Sequence, residues 1–149
     1  MPTGPKKHPR DGVDADGRTL AWYAAASGDV ASIKSRFAAG ENLSAGDDAG
    51  LTPLHMAAQN GQLEAIQLLI TLGADTNVTD KYGNGPLWTA THHACLAIAT
   101  ERNHSIVRLL LEGGADPDNK NKSNRSPRDI SQRSNHVLQI YLSFGASGV

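Results

Sequence analysis

Asp at 14, 47 and 80, and Gly at 17, 50 and 83, recur along this chain at an interval of 33 residues. A period of that length constrains the fold more than any local motif. Each copy is too short to bury an apolar face alone, so the copies must stack on one another. The clusters that mark the period, "DADG" (14–17), "DDAG" (47–50) and "DKYG" (80–83), carry turn chemistry. Asp accepts hydrogen bonds from nearby backbone N–H groups, and Gly tolerates positive φ. After them come "RTLAWYAAASGDV", "LTPLHMAAQNGQL" and "NGPLWTATHHACL", then second helical segments, "ASIKSRFAAG", "EAIQLLITLGAD" and "SIVRLLLEGGADP". A degenerate fourth copy runs from "NKSN" (121–124) through "RSPRDISQ" to "NHVLQIYLSFGA".

Each copy reads as a turn followed by two antiparallel helices. Thr52 is an N-cap and Pro53 fits the first helical position, where its missing N–H costs nothing. Thr19 and Ser126 repeat the cap; Pro86 and Pro127 repeat the proline. Ile66, Leu69 and Ile70 form the apolar stripe of the second helix in copy 2, closed by Gly73 in a left-handed C-cap, with Gly40 and Gly114 in the same role. Hydrophobic residues make up 39% of the chain and aromatics only 5%, a composition suited to helices packed through Leu, Ile, Val and Ala. The expected fold class is all-α.

The segment "TPLHMAAQNGQLEAIQLLITLGADTNVTD" (52–80) closely resembles the ankyrin repeat, in its period and in its T-P-L-H-x-A pattern. The resemblance implies a solenoid of four stacked helix-turn-helix units with β-turn fingers, at about 13–46, 47–79, 80–120 and 121–149. Residues 1–12 form a basic tail expected to be disordered. The outer units are expected to be caps. Unit 1 has Leu20, Ala21 and Trp22 in place of Pro53, Leu54 and His55, and polar Lys34, Ser35 and Arg36 in place of Gln67, Leu68 and Leu69. In unit 4, Arg128, Asp129 and Ser131 replace Leu54, His55 and Ala57, and Asn124 replaces the turn glycine. The resemblance gives His55 a structural role, bonding locally and bridging neighbouring units. Trp22 and Trp88 occupy the same column, where Trp88 is either core filler or a binding anchor.

Unit 3 departs from the period. Asp75 and its counterpart Asp116 are 41 residues apart, so about eight extra residues lie near 91–102. They either lengthen the first helix by about two turns or bulge the inter-helix loop, and the absence of Gly and Pro there favours the helix. The same stretch, "THHACLAIATERNH" (91–104), holds three of the six histidines and the only cysteine. Structural zinc takes four ligands in recognisable pairs, and no second pair exists here. Cys–His catalysis lacks an oxyanion hole and an orienting group. Cys95 is therefore expected to be packed, with His92 and His93 outward. "DGVDADG" fails as a calcium loop, and no dinucleotide, phosphate or Gly-x-Ser-x-Gly motif is complete.

No metal, cofactor or catalytic site is expected, and the chain is not read as an enzyme. A net charge of −1 argues against nucleic-acid binding. Charge is unevenly spread: +3 over residues 1–10, −7 over 11–80 and +3 over 81–149. No apolar run approaches the roughly 20 residues of a membrane span, and the amino end lacks the apolar core of a secretory signal. A cytoplasmic protein, monomeric when free, is expected.

What the family resemblance implies is recognition of another protein through turn tips and the exposed side of the first helices, together a concave face. Carried over by position, the tips are Asp16, Arg18, Asp48, Leu51, Lys81, Tyr82, Asn84, Lys122 and Arg125. The first-helix positions are Ser27, Gln59, Asn60, His92, His93 and Arg133, with Trp88 beside the insertion. Tyr82 and Leu51 are the expected apolar anchors. The chain also resembles small stand-alone bacterial ankyrin proteins, some of them immunity proteins that neutralise a toxin. An inhibitor of a toxin or other enzyme is one reading; a general scaffold or adaptor is the alternative.

Overall fold

The computed structural model describes residues 12–96 and 98–146. The expected tail lies almost wholly outside them. Among the described residues there are eight helices: α1 (Leu20–Ser27), α2 (Val30–Ala38), α3 (Pro53–Gln59), α4 (Leu63–Thr71), α5 (Pro86–Ala94), α6 (Glu101–Glu112), α7 (Pro127–Ser131) and α8 (Asn135–Ala146). The odd-numbered helices pack in one row, α1 on α3 on α5 on α7, and the even-numbered helices in a second row. An isolated bridge between Val13 and Thr19 is the one β-type pairing among the described residues.

The turns that open the units share one set of bonds. Asp47 Oδ1 accepts from the N–H of Ala49 and of Leu51, both at 2.9 Å. Asp14 and Asp80 do the same for Asp16 and Arg18, and for Tyr82 and Asn84. In unit 4 the amide oxygen of Asn121 takes over, accepting from Ser123 and Arg125. The turns then join one another. Asp48 N–H donates to the Asp16 carbonyl, Lys81 N–H to Ala49 and Lys122 N–H to Tyr82, each at 2.9 Å.

Close stacking explains the glycines. Gly50 has φ +81, and a Cβ there would lie 2.9 Å from Asp80 Cα. A Cβ on Gly83 would meet Asn121 Cα at 3.1 Å. Asn124, in the last described turn, keeps the left-handed conformation at φ 60. Asn is the residue after Gly that tolerates it best.

Helix starts follow the cap residues. Thr19 accepts from Trp22 N–H, and Ser126 from Asp129 N–H. His55 Nδ1 accepts the Thr52 N–H at 3.1 Å, which leaves the proton on Nε2 to donate to the Asn84 carbonyl of the next unit at 2.9 Å. The structural role expected of His55 is thus what the geometry shows. Asp129 closes the helix start of unit 4 in the same way, accepting from Ser126 N–H at 2.8 Å.

The core runs through every unit: Ala21 and Ala25 with Ile33, Leu54 and Ala57 with Ile66 and Leu69, Leu87 and Ala90 with Val107 and Leu110, then Val137 and Tyr141. Ile70, expected inside, is half-buried. It packs beneath Gly113, where a Cβ would sit 2.9 Å from Ile70 Cδ1.

The expectation that the insertion lengthens the first helix by two turns is not met. α5 has 9 residues against 7 in α3, and α6 has 12 against 9 in α4. The rest lengthens the connection, where residues 95, 96 and 98–100 lie outside any helix, against 60–62 in unit 2. The helix breaks because Asn103 Oδ1 accepts the Thr100 N–H at 2.9 Å, a cap that starts α6 early. The added turn of α6 is tied to both neighbours. Arg102 donates to the Gly61 carbonyl and to Glu64 of unit 2, and the His104 ring lies 5.8 Å from that of His136 on α8. Cys95 reaches the Ile130 carbonyl at 3.5 Å.

Two outcomes are expected. Gly50→Ala should cost roughly 2–3 kcal/mol, because positive-φ strain of about 1–2 kcal/mol adds to a backbone overlap. Gly73→Ala, with φ +87 and open space around it, should cost only about 1 kcal/mol. Urea denaturation of both variants measures the difference.

Burial holds the His55 imidazole below its ordinary pKa. Its contribution to stability is complete above the unfolded value of about 6.5 and is lost as pH falls through the folded value. The urea midpoint should therefore fall between about pH 7 and pH 5, and His55→Gln should flatten that slope.

Candidate functional site

Stacked turns and parallel inner helices bring the same position of each unit into columns. The second, third and fifth turn residues project at the fingertips. Residues at or just beyond the ends of the inner helices lie in two further columns: Ala26, Gln59, His92 and Arg133, then Ser27, Asn60, His93 and Ser134. These columns hold the residues expected to meet a partner, and the structure sorts them into exposed and engaged.

At the tips, Asp16, Asp48, Lys81, Tyr82, Lys122 and Arg125 are exposed. Tyr82 is the most open large apolar side chain there, at 59%, with the Lys81 ammonium 5.1 Å from its ring centroid. Arg18 is half-buried, lying 4.8 Å over the Trp22 ring and 3.4 Å from Asp16. Leu51, expected as an exposed anchor, is half-buried instead, like Arg18 and Asn84 in the same column. Asn84 is committed internally: its carbonyl takes the His55 proton and its side-chain oxygen accepts from Asn121.

Along the inner helices, Ser27, Gln59, Asn60 and Arg133 are exposed. Asn60 donates to the Ala26 carbonyl at 2.9 Å, so it also joins units 1 and 2. His92 and His93 are less open than expected; both are half-buried. His92 stacks on Trp88 with centroids 5.3 Å apart and planes within 9°. His93 meets His92 edge-on at 5.9 Å. Burial, with lesser contributions from His93 and Arg133, lowers the His92 pKa. Trp88 is half-buried with its indole N–H enclosed and unbonded, so it serves both the packing and the face.

Chemistry of the reactive types is weak. Burial raises the Cys95 thiol above its ordinary pKa, away from the thiolate a nucleophile needs. No group of three metal-ligating side chains exists among the described residues. The exposed pair after α5, Leu96 at 42% and Ile98 at 85%, was not among the residues expected at a surface. Reading the insertion as helix hid it, and the T-x-x-N of 100–103 was the available signal.

Comparison with known proteins agrees with this geometry. The family model of ankyrin repeats matches residues 4–80 and 22–121, with 3 copies. Human "Ankyrin repeat and SOCS box protein 3" is 41% identical over 105 residues, 70% of this chain and 19% of that protein. "Palmitoyltransferase akr1" of Neurospora crassa is 36% identical over 116 residues, 77% of this chain and 15% of that protein. It matches only through its ankyrin region. Human "Ankyrin repeat and SOCS box protein 5" is 34% identical over 96 residues, 64% of this chain and 26% of that protein. The chain thus spans a quarter or less of two of these relatives and about a quarter of the third. Ankyrin repeats generally bind other proteins and are generally non-catalytic. No helix among the described residues is long and apolar enough to cross a membrane. The chain belongs to the ankyrin-repeat family.

Proposed function

We propose that this chain is a non-catalytic recognition module that holds another protein against its fingertips and inner-helix ends. The observation that carries the reading is the division of labour across the columns. Buried and half-buried polar groups such as His55 and Asn84 complete the inter-unit bonds. Tyr82, Lys81, Gln59, Lys122, Arg125 and Arg133 stand exposed beside them. An exposed tyrosine ringed by polar side chains is the type of anchor that dominates interfaces.

The form of recognition we favour is inhibition of an enzyme, as an immunity protein blocks its toxin. Unit 3 is braced to unit 2 through Arg102 and to unit 4 through Cys95 and His104. A face stiffened in this way loses little entropy on binding, which suits tight one-to-one blocking. A cytoplasmic setting fits the half-buried free thiol of Cys95. A general scaffold is the competing reading.

Affinity capture with the purified chain, followed by mass spectrometry, separates the two. One stoichiometric enzyme whose activity is lost on binding is expected; several unrelated partners with unaltered activities would make the chain a scaffold. Tyr82→Ala should weaken the complex about tenfold or more, while moving the urea midpoint by less than about 0.5 kcal/mol of stability. Gln67→Ala, on the exposed side of α4, should leave binding unchanged. An unaltered affinity in Tyr82→Ala would move the site off this face.

A further inference from the structure

Sorted by unit, the exposed recognition columns are segregated in charge. Units 1 and 2 present Asp16, Asp48 and one base, Arg18, which is already paired with Asp16 at 3.4 Å. Units 3 and 4 present Lys81, Lys122, Arg125 and Arg133, and no carboxylate occupies those columns. None of the four cations takes part in any salt bridge among the described residues, which are Arg18–Asp16, Arg102–Glu64, His104–Glu101 and Arg128–Asp118.

Acids of the same units are engaged elsewhere. Asp80 Oδ1 holds the turn through the N–H groups of Tyr82 and Asn84. Asp129, which feels Lys120 and Arg125, accepts the Ser126 N–H. Asp118 is bound to Arg128 by two hydrogen bonds. Four like charges gathered on one half of a surface repel one another and raise its potential, a cost offset only when an anionic partner arrives. Such a half-face steers and orients a charged ligand more than it stabilises the free protein.

We propose that units 3 and 4 bind an acidic segment of a partner protein, its carboxylates meeting Lys81, Lys122, Arg125 and Arg133 across the Tyr82 ring. The inference deepens the recognition reading and rests on it. The opposite end of the face selects the class of partner. A nucleic-acid strand would carry its phosphates onto Asp14, Asp16, Asp47 and Asp48, and the chain's net charge of −1 gives it no general attraction for a polyanion. A protein segment can be acidic over units 3 and 4 and neutral or basic over units 1 and 2. That pattern fixes its direction along the face.

Fluorescence anisotropy on the full chain tests this with three labelled probes. They are a Glu/Ser peptide of about a dozen residues, long enough at roughly 3.3 Å per residue to cross two fingers, its Lys/Ser counterpart, and an oligo-dT of matching length. The Glu/Ser peptide should bind, weaken about tenfold between roughly 50 and 300 mM salt, and be lost in the triple variant Lys81→Glu, Lys122→Glu, Arg133→Glu. All three positions are exposed, and an unchanged thermal midpoint confirms that the variant folds. Absence of Glu/Ser binding, equal binding of the Lys/Ser peptide, or equal or tighter binding of oligo-dT would each overturn the inference. The captured partner distinguishes the two levels. If Tyr82→Ala weakens that complex while the triple variant and added salt do not, the recognition face stands and its acidic ligand falls. If none of these changes matters, the face itself is wrong.

Discussion

Every level of this molecule depends on one short-range arrangement: an acceptor side chain folded back onto the two backbone N–H groups of its own turn. Asp14, Asp47, Asp80 and Asn121 each make this pair of bonds. The consequence reaches beyond the turn. With those N–H groups satisfied internally, the second and third turn residues are left with one free donor and one free acceptor, and these pair from unit to unit. The spacing of the stack is thereby set by backbone hydrogen bonds, not by side-chain volume. Side chains of the second and third turn residues are released from structural duty. That release is why the same positions can be Asp48 in one unit, Lys81 in the next and Lys122 in the last without altering the fold.

A backbone-fixed spacing also explains how unit 3 absorbs its extra residues. The join between Tyr82 and Lys122 is the same 2.9 Å bond as the others, although the chain between them is longer. The surplus is expelled to the far end of the helix pair, where no ladder constrains it. There it is put to structural use. Arg102 donates to the Gly61 carbonyl, between α3 and α4, and meets Glu64, an exposed pair of modest value alone. Buried neighbours add more: the Tyr141 hydroxyl bonds Thr91 at 2.5 Å. Thr91 also bonds the Leu87 carbonyl at 2.7 Å, so it satisfies its own turn of α5 while reaching α8. The last unit, otherwise degenerate in sequence, is held by these specific polar bonds as well as by apolar contact.

Turn, cap and stripe were legible in the sequence because each is written in residues with a single local meaning. Asp and Gly three apart, Thr before Pro, and Gly after a helix all specify backbone conformation without reference to anything distant. The insertion was not legible for the opposite reason. Leu96, Ala97, Ile98 and Ala99 have helical propensity, but a propensity of a few tenths of a kcal/mol per residue yields to one capping bond at Thr100. The brace by Arg102 and the Thr91–Tyr141 bond join residues far apart in the chain, and no local pattern announces them. Burial at the face was not legible for the same cause. Leu51 and Asn84 stand in a column that is open in unit 4, at Arg125, yet Asn84 is claimed by His55 and Asn121 from its two sides. The column could be read; the neighbour's demand on it could not.

Histidine in unit 2 and its replacements show how this structural demand shapes the face. The position of His55 must close the helix start of its own unit, and Asp129 does so in unit 4 with a carboxylate. Trp22 and Trp88 cannot accept a backbone N–H, and in unit 3 Gly85 leaves no side-chain cap to reciprocate. The indole of Trp88 is instead held by stacking on His92, one turn along α5. His92 is thereby drawn inward and half-buried. Loss of a cap at the base of unit 3 thus propagates along one helix turn and changes the exposed surface. The resulting patch sets a tryptophan and two imidazoles beside Arg133, with Tyr82 and Lys81 at the fingertip of the same unit. It is the most aromatic part of the face, and it falls in the half that holds Lys81, Lys122, Arg125 and Arg133.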